Sequence, residues 1–197
     1  MFAEKDVALI FKAVKFAADK HRHQRRRNEE ESPYINHPID VAETLWRVGG
    51  VRDVPVLVAA ILHDTIEDTD ATAPEIEAEF GADVLSLVQE VSDDKSLPKE
   101  VRKQLQIENA PHKTYGAKLI KLGDKINNIR DLSQSPPATW SLERKQKYLD
   151  WTEQVIAGLR GTSADLEEHY DRLLLEARQA LNGTANGALG DQSLDQS

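Results

Sequence analysis

The 197-residue chain contains no cysteine. That absence removes disulfides, thiolate zinc sites, iron–sulfur clusters and cysteine nucleophiles. A metal here must take nitrogen and oxygen ligands, so the six histidines draw attention. Positive charge is scarce as well: 25 Lys and Arg stand against 34 Asp and Glu, a formal net charge of −9. That balance runs against a general binder of nucleic acid or of anionic membrane. No apolar run approaches the roughly 20 residues of a membrane span. The N-terminus also lacks the apolar core of a signal peptide. These absences, with 40% hydrophobic residues, give the expectation of a soluble, cytoplasmic protein with one ordinary core.

Strand-like alternation persists nowhere, and helical spacing dominates. Residues 6–21 place Leu9, Ile10, Ala13, Phe16 and Ala17 on one face, the i, i+3, i+4, i+7 pattern of an amphipathic helix. Residues 22–36 are charged and read as a loop. Pro38 suits the first turn of a helix that Gly49-Gly50 ends. Asp53 and Pro55 announce another, whose run 54–62 is apolar on every side and therefore central and buried. Further helices are expected over 75–80, 82–91, 99–108, 118–132, 142–159 and 164–181. The remainder, 182–197, is Gly, Ala, Asn, Gln and Ser with little to bury, and reads as a disordered tail. The expectation is an all-α fold in one domain over residues 1–181.

Four segments carry chemistry-bearing residues. The first, Leu62-His63-Asp64-Thr65-Ile66-Glu67-Asp68-Thr69-Asp70, sets a histidine and four carboxylates directly after the buried helix. Burying ionised groups costs several kcal/mol each unless a counter-charge compensates, and a divalent cation suits a His/Asp ligand set. If the helix continued, His63 would lie above Glu67 and Asp64 above Asp68. The alternative is a solvated acidic turn. The second segment holds His37 before Pro38, either as a structural cap or as a residue facing the end of the buried helix. In the third, Asp124 and Asn128 share a face with Lys121 beside them, opposite the Leu119/Leu122/Ile126/Ile129 stripe. Periodicity therefore puts Asp124 on the solvated side. The fourth, Lys20 to Arg27, is a basic run in an acidic chain. It is either a solvated charge cluster or an anion patch, and arginine brings bidentate phosphate contacts and base stacking. Few aromatics flank it, so a small phosphorylated ligand fits better than nucleic acid.

Together these segments resemble a known family. His37, His63-Asp64 and Asp124 form the H…HD…D series of the HD-domain phosphohydrolases. Gln24-x-Arg26, Pro33-Tyr34-Ile35-Asn36-His37-Pro38, Leu62-His63-Asp64-Thr65-x-Glu67-Asp68-Thr69 and Leu122-x-Asp124-Lys125-x-x-Asn128 resemble the hydrolase domain of RelA/SpoT alarmone enzymes. Glu90-Val91-x-Asp93-Asp94-Lys95-x-Leu97-Pro98, Ala110-Pro111-His112 and Leu159-x-Gly161-Thr162 are similar to the stand-alone small alarmone hydrolases. The resemblance covers roughly residues 5–175.

It implies an all-α fold, a divalent metal that is usually manganese, and removal of the 3′-pyrophosphate from guanosine tetra- and pentaphosphate. By position, His37, His63, Asp64 and Asp124 match the metal ligands, and Glu67 and Asp68 match the acidic pair. Arg26 matches a nucleotide-contacting arginine and Arg27 its basic neighbour. Asn128 and Tyr148 match residues lining the nucleotide site. Asp131 stands where the long enzymes often carry threonine near the base. Those enzymes add a synthetase domain for which 197 residues leave no room, so hydrolysis without synthesis is expected. Rival readings are the same chemistry on (p)ppApp, a phosphatase acting on NADPH, and a silent nucleotide- or RNA-binding protein using the basic run.

Overall fold

The computed structural model describes residues 2–28, 30–137 and 139–190, with side chains described as far as Asn182. Among the described residues every regular element is a helix. In chain order the elements are α1 (Glu4–Lys20), α2 (Asn36–Arg47), α3 (Val54–Leu62), α4 (Thr65–Asp68), α5 (Ala73–Phe80) and α6 (Ala82–Val91). Then come α7 (Lys99–Asn109), a 3₁₀ turn (Ala110–His112), α8 (Tyr115–Gln134), α9 (Leu142–Ala157) and α10 (Ala164–Gly190). The all-α expectation holds, and α3 starts and stops where its apolar run does.

α3 is short and central. Asp53 caps it by accepting from the Val56 amide, and Pro55 occupies its first turn, where no donor is missed. Every residue from Val56 to Leu62 is buried, and each fully buried Val, Leu or Ile contributes roughly 1.5–3 kcal/mol. α1, α2, α6 and α8 surround it.

The other central helix is α8, which also packs on α2, α6, α9 and α10. Here the sequence reading needs correction. Asp124 is not on a solvated face: Lys121, Asp124, Lys125 and Asn127 are all buried along with the apolar stripe. A helix enclosed on several sides has no solvated face for periodicity to find. Gly123 sets the spacing on one side, since a Cβ there would lie 3.0 Å from Leu45 Cδ2 and 3.2 Å from Val41 Cγ1. α2 and α8 can therefore approach closely just where each carries a site residue.

A second correction concerns the chain after α3. The helix does not continue through the acidic segment. It breaks into a turn at His63-Asp64 before α4 begins, although the Asp68 amide still donates to the Asp64 carbonyl at 2.8 Å. At the far end, α10 runs on to Gly190, so the segment read as a tail begins as helix, and 191–197 lie outside the described residues.

Candidate metal centre and adjoining cleft

Three helices deliver the central cluster. α2 contributes His37 from its first turn, the turn after α3 contributes His63 and Asp64, and α8 contributes Asp124. One ligand atom from each of His37, His63 and Asp124 lies within 4.8 Å of the others, and all three residues are buried. His37 Nε2 is 3.3 Å from Asp124 Oδ1. Asp64 joins from the side, its Oδ2 3.1 Å from His63 Nε2 and 4.0 Å from His37 Nε2.

Hydrogen bonds around the cluster fix these orientations. His63 Nδ1 donates to the Ala60 carbonyl at 2.8 Å, which turns Nε2 and its lone pair inward, the arrangement typical of metal-ligating histidines. That Nε2 is buried and has no hydrogen-bond partner, although the Asp64 carboxylate oxygen faces it. Two acceptors in contact need a positive species between them, either a proton or a cation. Tyr34 donates its hydroxyl to Asp64 Oδ2 at 2.5 Å. The Asn128 amide donates to Asp124 Oδ1, and the Lys125 ammonium holds Oδ2 at 3.1 Å. Lys125 is 3% exposed and lies 4.5 Å from the centre of the Trp151 ring.

Charge follows the geometry. Burial would lower the His63 pKa, but the Asp64 and Asp124 carboxylates outweigh it and hold the ring at about 9. Burial works in the same sense on His37 and there prevails, lowering its pKa. Asp64 and Asp124 both fall below the usual carboxylate range against the pull of burial, because His63 faces the first and Lys125 the second. Two carboxylates and two imidazoles thus stay ionised or ligand-competent inside the protein, a donor set that fits a divalent cation.

The acidic pair lies beside the cluster. Glu67 Oε2 accepts the Asp93 amide at 2.9 Å, and Oε1 faces Lys95 at 3.3 Å and Arg102 at 3.6 Å. Burial, with Asp93 and Asp64 nearby, raises the Glu67 pKa. Asp68 is bound by Lys95 at 2.5 Å and receives the Gln24 amide at 3.4 Å.

A cleft of about 420 Å³ opens from this region, lined by Gln24, Arg25, Arg26, Arg27, Tyr34, Asp68, Lys95, Asn128, Asp131, Trp140 and Tyr148 among others. The loop between α1 and α2 supplies the arginines, folded back on itself by an Arg25–Pro33 bridge and by bonds from Arg26 N to Ser32 O and from Tyr34 N to Gln24 O. Arg26 reaches Asp131 and the Asn128 amide oxygen, and lies 5.6 Å from the Tyr34 ring centre.

The residues singled out in the sequence therefore gather in one region. Arg26, Arg27, Asp68, Asn128 and Tyr148 share the cleft, His37, His63 and Asp124 cluster, Asp64 flanks them, and Glu67 stands next to Asp68. Sequence reasoning missed Tyr34, Lys95, Arg102, Lys125 and Trp151. Tyr34, Lys95 and Lys125 lie inside quoted motifs, whereas nothing local to Trp151 signals its contact with Lys125.

The HD domain family matches residues 13–159. The human guanosine-3′,5′-bis(diphosphate) 3′-pyrophosphohydrolase MESH1 is 55% identical over 168 residues, which are 85% of this chain and 94% of the relative. The chain belongs to the HD-domain family and to its MESH1 group. The MESH1 of Xenopus tropicalis is 52% identical, over 87% of this HD-domain chain and 96% of the relative. A solved structure of a metazoan SpoT orthologue that hydrolyses ppGpp superposes with a TM-score of 0.85 at 45% identity, covering 89% of this chain and 97% of that one. In this HD-domain chain no described helix is long and apolar enough to cross a membrane.

Proposed function

We propose that this chain is a cytoplasmic, metal-dependent hydrolase that removes the 3′-pyrophosphate from (p)ppGpp, leaving GDP or GTP. The observation that carries the reading is the buried His/Asp cluster, a donor set that suits a divalent cation, set beside an arginine-lined cleft of nucleotide size. Its MESH1 relatives, named for this reaction, support the substrate class.

In this reading His37, His63, Asp64 and Asp124 hold one divalent ion, manganese by the resemblance. When bound, that ion supplies a Lewis acid for a phosphoryl oxygen and lowers the pKa of water. Glu67, whose raised pKa brings it nearer to neutrality, accepts the proton of the attacking water, and Asp68 helps orient that water. The water oxygen bonds to the phosphorus attached to O3′, the P–O3′ bond breaks, and the proton passes to O3′. Arg26, pinned by Asp131 and Asn128, stacks on the base beside Tyr148. Arg27 and its basic neighbours neutralise the remaining phosphates. Nucleic acid is not the partner in this reading, because Arg25, Arg26 and Arg27 line the nucleotide cleft.

An assay with Mn²⁺ across ppGpp, pppApp and NADPH, with products separated by ion exchange, tests the proposal. Pyrophosphate released from ppGpp is the expected result. Turnover confined to pppApp or NADPH would redirect the substrate. No turnover of any of the three would return the chain to the class of silent nucleotide binders.

A further inference from the structure

Lys121 is 6% exposed, yet among the described residues its ammonium has neither a hydrogen-bond nor an ion-pair partner. That nitrogen is not among the buried atoms sealed from solvent, so it is a cation open to whatever enters the cavity beside it. Lys121 lies on α8 three residues before Asp124, and its charge acts on both Asp124 and Glu67. It lines a cavity of about 220 Å³ that also receives Arg102 and Lys113.

The acidic residues of this cavity are already occupied. Both Glu90 oxygens accept from Thr114, Asp93 Oδ2 accepts from Gln106 at 2.6 Å, and Asp94 Oδ1 accepts from the Ser96 amide at 2.9 Å. The cations are less well served. Among the described residues Arg102 reaches only Glu67, at 3.6 Å, and its Nε is buried without a partner. Lys113 donates to the Glu90 backbone carbonyl. The donors left over suit an oxyanion.

Glu67 contacts a residue of this cavity and a residue of the arginine-lined cleft. The same Oε1 that faces Lys95, a cleft residue, also faces Arg102, a cavity residue. A nucleotide in the cleft with its 3′-phosphorus beside Glu67 would direct anything attached beyond that phosphorus towards Lys121. We infer that Lys121, with Arg102 and Lys113, forms a second oxyanion site that takes the distal phosphate of the 3′-pyrophosphate and holds the pyrophosphate after cleavage. This rests on the hydrolase reading above, and it accounts for a diphosphate rather than a monophosphate being the group removed.

The test compares guanosine 5′-diphosphate 3′-diphosphate with the 5′-diphosphate 3′-monophosphate, using metal-loaded wild type and Lys121→Met. Met keeps all but the terminal atom of the unbranched side chain and removes its charge, so the variant is expected to fold, which circular dichroism checks. Wild type should favour the 3′-diphosphate, and Lys121→Met should lose about tenfold or more in kcat/KM on it, the scale of one charge-assisted hydrogen bond, with little change on the 3′-monophosphate. Lys113→Met, at a less buried position, should shift selectivity in the same direction by less. Inorganic pyrophosphate should inhibit wild type more strongly than inorganic phosphate, and its inhibition constant should rise in Lys121→Met by a similar factor. An equal fall on both substrates would make Lys121 a mere neutraliser of Glu67 and overturn the site, as would equal inhibition by phosphate and pyrophosphate. Line broadening of the pyrophosphate ³¹P signal on the Mg²⁺-loaded chain needs no turnover. Broadening that Lys121→Met abolishes supports the site even if no nucleotide is hydrolysed, and its absence in wild type overturns it.

Discussion

Replacing Lys125 with Met should weaken the protein without metal and strengthen its grip on metal. The ammonium is 3.1 Å from Asp124 Oδ2 and almost wholly buried. At an effective dielectric of about 20, that separation gives a gross attraction of about 5 kcal/mol. Part of it offsets the cost of burying both charges. Removing one partner strands the other, a loss of about 3–5 kcal/mol in buried pairs. His37 and His63 remain beside Asp124, so about 3 kcal/mol is expected, a fall in Tm of roughly 6–12 °C for a chain of this size. With a divalent cation bound, Asp124 keeps a counter-charge and Asn128 still holds its Oδ1, so a loss of only about 1 kcal/mol is expected. Closing the cycle gives tighter metal binding by about 2 kcal/mol, roughly 30-fold. Thermal unfolding with and without Mn²⁺, plus competitive titration of the metal, measures both arms. An unchanged Tm in chelator, or a metal-induced rise in Tm smaller than in wild type, would refute the reasoning.

Three further outcomes follow from the same structure. Glu67→Gln should leave metal affinity intact and slow turnover by about 10²–10⁴-fold if Glu67 is the base, as single-turnover rates beside a metal titration would show. Because Glu67 must be ionised to accept a proton and its pKa is raised, kcat/KM should fall on the acid side with a midpoint above that of an ordinary glutamate. A pH profile checks this, and a midpoint at or below the ordinary value would remove Glu67 from that role. Gly158→Ala would place a Cβ 2.8 Å from both Ala110 Cβ and Pro111 Cδ, and 3.1 Å from a backbone nitrogen. Overpacking of this kind costs about 1–3 kcal/mol, and calorimetry should show the lower Tm with substrate selectivity unchanged.

Much of the fold was legible because most helices obey local rules. Asp53 and Pro55 open α3, Thr72 with Pro74 and Glu75 opens α5, and Gly81 (φ +90°) separates α5 from α6. α8 was read poorly for a physical reason: periodicity assumes one buried face, and neighbours on several sides bury Lys121, Asp124 and Lys125 as well. The break at His63-Asp64 was hidden too, since neither residue forbids a helix and the turn is dictated by the site. The site residues were legible as motifs, but their meeting depends on Gly123 letting α2 approach α8. Trp151 against Lys125 is a contact between helices that no spacing rule encodes.

Tyr34 ends up with a foot in both compartments. Its hydroxyl holds the Asp64 carboxylate, while its ring lines the cleft and lies beneath Arg26. Whatever fixes Asp64 also fixes this ring, and with it the loop that presents the arginines. Ion and nucleotide therefore share one side chain as a thermodynamic go-between. Each should raise the affinity of the other by the same factor, because a coupling free energy has no direction. A cell could then set the enzyme's hold on its nucleotide through the supply of the ion alone.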